Sequence, residues 1–112
     1  MTGGEGFEGE IVLAAPESPG APDGSGVLTA RFVRYPGSQQ VTLWLPQDGP
    51  QNYTRFKITG PGGTLDDAPL EDRLNGRVQI LIDTFPWPPG DYMISVTHRD
   101  GWCHTLMLLK LA

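Results

Sequence analysis

"FPWPPGDYMISVTHRDGWCHTLMLLKL", residues 85–111, carries the pattern that decides the fold. After Gly90, the residues Tyr92, Ile94 and Val96 alternate with Met93, Ser95 and Thr97. Side chains two apart on a strand share a face, so the alternation predicts a strand over 91–98 with one buried side. Arg99, Asp100 and Gly101 are turn chemistry, and 102–111 returns as a second strand, apolar on both faces in its second half. Ahead of this pair Trp87 stands among Pro86, Pro88 and Pro89. Proline fixes φ and has no N–H for a central ladder, so this stretch predicts a rigid corner. Such a corner holds the Trp87 ring at small entropic cost, either to plug the end of a core or to display it to a partner.

The same period runs upstream. In 27–35 Leu28, Ala30 and Phe32 share a face; in 40–46 Val41, Leu43 and Leu45 do, with Thr42 and Trp44 opposite. In 53–60 Phe56 and Ile58 oppose Tyr53, Arg55 and Lys57; in 77–85 Val78, Ile80 and Ile82 oppose Gln79, Leu81 and Asp83. The breaks, "YPGSQ", "PQDGPQN", "GPGG" and "LNG", are turns, the third a hairpin rather than a phosphate loop because no Lys-Ser/Thr follows it. The best helical candidate, "DDAPLEDRL" (66–74), is one turn at most, because Pro69 interrupts it. Short strands at regular spacing predict an all-β, antiparallel β-sandwich of about seven strands.

A chain of 112 residues fits one domain. Its net charge of −5 is unevenly placed: Glu5, Glu8, Glu10, Glu17 and Asp23 lie in 1–26, which holds no base, and acids and bases balance in 27–112. Residues 1–26 thus read as an acidic Gly/Pro-rich arm with one short strand candidate, "EIVLAA" (10–15), ahead of a body at 27–112. An acidic arm on a neutral body lacks the cations that replace phosphate counterions, which sets nucleic acid aside. No apolar run spans a bilayer, and the N-terminus lacks a basic and then apolar signal pattern, so synthesis in the cytoplasm is expected. The single Cys103 excludes an internal disulfide.

The chemical inventory is thin, and no cofactor is expected. Cys103, His98 and His104 offer a nucleophile pair or a metal site in outline. A catalytic thiol needs a base and an orienting group, and structural zinc usually needs four ligands. A half-buried thiol and two surface imidazoles are therefore expected. The acidic run Asp66, Asp67, Glu71 and Asp72 lacks EF-hand spacing and reads as a solvated loop. The PxxP patterns at Pro16, Pro19 and Pro22 read as linker.

At 88–111 the sequence resembles the end of bacterial and phage immunoglobulin-like, or fibronectin-III-like, domains. Tyr92 sits where they place the corner tyrosine before strand F, and Ile94 where antibody domains hold their second cysteine. Leu43 looks like the strand B core position, and Phe56 stands at the strand C tryptophan position. The resemblance covers about 38–111; the paired cysteines are absent, so it excludes the antibody type. It implies an Ig-like sandwich with an N-terminal arm and "FPWPPG" as the corner between strands E and F. It implies adhesion, carbohydrate binding, spacing or virion decoration as uses.

Outward apolar residues then become informative. Trp44 and Leu81 face out if Leu43, Ile80 and Ile82 face in, and neighbouring strands B and E would join them in one patch. Met93 faces out on the other sheet, where the last strand adds either Leu106 and Leu108 or Met107, Leu109 and Leu111. The arm covers such a patch, or a partner does. The expectation is a non-enzymatic assembly module, such as a phage capsid-decoration, tail-associated or surface protein. It would contact a protein partner or its own copies through the arm and through Trp44, Leu81, Trp87, Met93 and Trp102. The alternative is a carbohydrate-binding module that stacks sugars on Trp44, Trp87, Trp102, Tyr35 and Tyr53.

Overall fold

The computed structural model describes residues 11–14, 17, 20–21, 26–35, 38–45, 50–74 and 79–111, with the backbone alone at 33–35, 38 and 50. Pro16, Pro19, Pro22 and Val78, and the side chain of Tyr35, lie outside the described residues. The elements run β1 (Ile11–Leu13), β2 (Thr29–Tyr35), β3 (Ser38–Trp44), a 3-10 turn (Pro50–Asn52), β4 (Tyr53–Gly60) and β5 (Gly63–Pro69). Then follow α1 (Leu70–Leu74), β6 (Gln79–Asp83), β7 (Gly90–His98) and β8 (Cys103–Lys110). A five-stranded sheet in the order β1-β8-β7-β4-β5 faces a three-stranded sheet in the order β2-β3-β6. Every neighbouring pair is antiparallel.

The core lies between the sheets and is built from the predicted inner faces. Leu28, Val41, Leu43, Ile80 and Ile82 from one side meet Phe56, Ile58, Ile94, Val96 and Leu108 from the other. Fully burying such a side chain is worth about 1.5–3 kcal/mol, so the alternation in each strand is the main source of stability. Leu43 lies in β3 and Phe56 in β4, in the two different sheets, as strands B and C should.

Four expectations are corrected. The described strands of 27–112 number seven, as expected for the sandwich, but one of them, residues 63–69, is an edge strand against β4 where the sequence pattern places none. Ala68 is its one buried side chain, so it shows no alternation to read. Asp66 and Asp67 therefore lie on a strand and Glu71 and Asp72 on α1, not in a loop. Tyr53 points inward rather than sharing a side with Arg55, because the register against β7 slips at that point: Tyr53 opposes His98 and Arg55 opposes Thr97. One extra residue in β4 reverses the face of whatever precedes it. His98 and His104 are not surface imidazoles; they are 8% and 0% exposed.

Ile11–Leu13, the described part of the strand predicted in the arm, pairs with Leu108–Lys110 and buries Ile11 in the core. Ala14 and Glu17 continue along β8 through backbone bonds to Met107 and Thr105. This part of the arm extends the larger sheet sideways and does not lie across its outer face.

Candidate interaction surfaces

The corner at 85–90 is held from within. The Tyr92 hydroxyl donates to the Pro88 carbonyl, four residues upstream, as a tyrosine corner does. Trp87 stacks on the Tyr92 ring with centroids 4.4 Å apart and planes at 21°, and its backbone N–H donates to the Thr84 carbonyl. Gly60 lies under the same ring; a Cβ there would sit 2.6 Å from Tyr92 Cε2. Gly90, at φ +144°, lets β7 begin against Pro61, which a Cβ would meet at 2.5 Å. Lys110 Nζ reaches in from β8 to donate to the carbonyls of Thr84 and Phe85 at 2.6 and 2.9 Å. Burial holds its ammonium below the usual lysine range, offset by the Asp83 carboxylate, and burial raises the Tyr92 phenol. Trp87 thus packs against the core with one ring face engaged.

Trp102 sits at the other end of β7. Its ring stacks on His98 at 4.3 Å and 10°, and meets Tyr53 and His104 edge-on. Tyr53 Oη and His104 Nε2 share a 3.0 Å hydrogen bond, and His98 Nδ1 accepts from the Asp100 backbone N–H at 3.1 Å. The residues between β7 and β8 make a tight hairpin, with His98 N–H on the Trp102 carbonyl at 2.7 Å. Cys103 lies in the outward phase of β8 and His104 in the inward phase, so thiol and imidazoles do not converge. Among the described residues no three His, Cys, Asp or Glu gather as a metal site.

Two outer faces remain. On the smaller sheet Trp44 opposes Gln79 and Thr42 opposes Leu81. Trp44 and Leu81 are therefore diagonal neighbours on one face, Trp44 half-buried and Leu81 47% exposed. On the larger sheet Met93 opposes Met107, and Leu109 opposes Val12 on β1. The register makes these four a contiguous group across three strands. Val12 is 46% exposed, and Met107 and Leu109 are each 40% exposed. The other half of this face is charged: Arg55 pairs with Asp67 at 2.6 Å beside Lys57. Beyond it, Arg73 on α1 grips both oxygens of Asp66 and lowers its carboxyl below the usual range.

Of the five predicted contact residues, the structure brings Trp44 and Leu81 together and places Met93, Trp87 and Trp102 at three other locations. The coplanar aromatic platform that sugar stacking requires is not assembled by the three tryptophans. Of the two alternatives for the last strand, Met107 and Leu109 face out. Val12 has no legible face in the sequence, since β1 is three residues long. No described helix is long and apolar enough to cross a membrane.

No protein-family model matches the chain. No curated protein matches it either. A crystal structure of a DUF3244-family protein from Bacteroides vulgatus, which has an immunoglobulin-like β-sandwich fold, is similar over 90% of this chain and 99% of that one, with a TM-score of 0.60 and 19% identity. At that identity the likeness concerns fold alone, and with the two antiparallel sheets and the tyrosine corner it makes this chain an immunoglobulin-like β-sandwich.

Proposed function

We propose that the chain is a non-enzymatic interaction module, and that it docks onto a protein partner in a larger assembly through the outer face of its larger sheet. A virion or cell-surface assembly is the setting the resemblance suggests. The observation that supports docking is the contiguous group Val12, Leu109, Met107 and Met93, outward on three adjacent strands. Covering each of these partly exposed side chains contributes about 1 kcal/mol. Four of them fall short of the association cost alone, so the polar row of Ser95 and Thr105 beside them would have to join the contact. Sugar binding has less support, because Trp87 and Trp102 stack on Tyr92 and His98 rather than standing free.

The test is a photo-crosslinking residue placed at Met107, or at Lys57 on the charged half, in the cells or particles that make the protein. A discrete adduct at Met107 that Val12→Lys with Leu109→Lys abolishes, and that is missing at Lys57, supports docking. Equal labelling at both positions, or no discrete adduct at Met107, refutes it.

A further inference from the structure

Each sheet ends in two edges: β1 and β5 in the larger, β2 and β6 in the smaller. An edge presents unpaired N–H and C=O groups, and proteins guard it with shortness, charge or proline. β1 is three residues long, β5 carries Asp66, Asp67 and Pro69, and β2 carries Arg31. β6, "QILID", has no proline, no basic residue and a single charge at its end.

The phase of the β3–β6 ladder says which groups face that edge. Thr84 N–H donates to the Gln39 carbonyl at 2.9 Å, directly opposite when the β3–β6 register is continued by one pair. Opposed residues in an antiparallel pair alternate between bonded and non-bonded, so Ile82 and Ile80 bond to β3 as Thr84 does. Gln79, Leu81 and Asp83 therefore turn their N–H and C=O groups away from β3, to the side where no described strand pairs.

We propose that this edge is a self-pairing interface, in which β6 adds antiparallel to β6 of a second copy about a twofold axis through Leu81. Leu81 then opposes the partner's Leu81, and Gln79 opposes the partner's Asp83 at both ends. All three are bonded pairs, giving about six backbone hydrogen bonds from groups already aimed outward. The strand is complementary to itself, as a twofold contact requires. The glutamine amide donates to the carboxylate, whereas a slip of two residues sets Leu81 against Asp83. On the outer face Trp44, diagonal to Leu81, widens the apolar contact. This surface lies on the opposite sheet from Met107, so it stands independently of the docking face.

The test is sedimentation equilibrium of the full chain over about 1 μM to 1 mM, with crosslinking in a Cys103→Ser background. A monomer–dimer equilibrium is expected. Leu81→Lys should weaken it by at least about tenfold with the melting temperature retained, since it removes a central apolar contact. Met107→Lys should leave the equilibrium unchanged. Leu81→Cys should be captured as a covalent dimer by a short bis-maleimide, because a bonded antiparallel pair sets its Cα atoms ~5.5 Å apart. Thr42→Cys, one strand further in on the same face, should not. A monomer throughout, a dimer indifferent to Leu81→Lys, or equal crosslinking at Thr42 overturns the proposal.

Discussion

Replacing Tyr92 by phenylalanine removes one oxygen and tests what holds the corner. The ring is fully buried, so the variant keeps its volume, its stack on Trp87 and its contact with Gly60. What is lost is the hydroxyl's bond to the Pro88 carbonyl. A net hydrogen bond contributes about 0.5–1.5 kcal/mol, and Pro88 is exposed, so water can take over its carbonyl. The expected cost is therefore about 1 kcal/mol, without the larger penalty of an orphaned buried group. In a domain of this size that is a fall of roughly 4 °C in melting temperature. Urea unfolding read by tryptophan fluorescence should show a lower midpoint and an unchanged slope, since no additional surface is exposed. Trp87→Ala removes the stack and its buried area and should cost more, about 2–3 kcal/mol. Tyr92→Phe and its parent should also converge at high pH. Burial raises the folded-state pKa of Tyr92 above its unfolded value of 10.0. The stability contributed by the neutral hydroxyl is complete below pH ~10 and disappears as pH rises through the folded pKa. A Tyr92→Phe protein as stable as its parent, or one less stable than Trp87→Ala, would refute this account of the corner.

Gly60→Ala should destabilise by about 1–3 kcal/mol in the same unfolding assay, because the Tyr92 ring it would strike is pinned on its far side and cannot yield. Lys110→Met should lie within about 1 kcal/mol of the parent, since relief of the buried charge offsets the lost bonds and Thr84 keeps its bond from Trp87. Burial lowers the folded pKa of Lys110 below its unfolded value of 10.5, so the parent should gain stability over Lys110→Met as pH rises through that window. Tyr53→Phe should cost about 1 kcal/mol, because it removes the hydrogen bond between the Tyr53 hydroxyl and the buried His104 ring; thermal melts at neutral pH check it.

Much of this molecule is legible in local pattern. The inward direction of His98 is present in the sequence, two residues after Val96, once the period is followed past the apolar residues; that of His104 is not, because β8 is apolar on both faces. The corner tyrosine is legible for a similar reason: turn, Gly90, Asp91 and Tyr92 are contiguous, and the bond the hydroxyl makes is to a residue four away. The outward group on the larger sheet is only half legible. Met93 follows from its own strand, whereas β8 is apolar on both faces and its direction is set by Leu106 and Leu108 finding the core.

Alternation along a strand is a local property, so the sequence by itself determined that the chain folds as antiparallel strands with one buried face, joined by Pro- and Gly-bearing turns. Register and neighbours are long-range properties, and only the tertiary structure decided them. The slip between Tyr53 and Arg55 turned a predicted outward tyrosine into a partner for His104, because β4 had to match β7. β5 exists because β4 offered an edge, not because residues 63–69 alternate. Val12 joined Leu109 because β8 left its outer edge open to a segment nearly a hundred residues earlier in the chain.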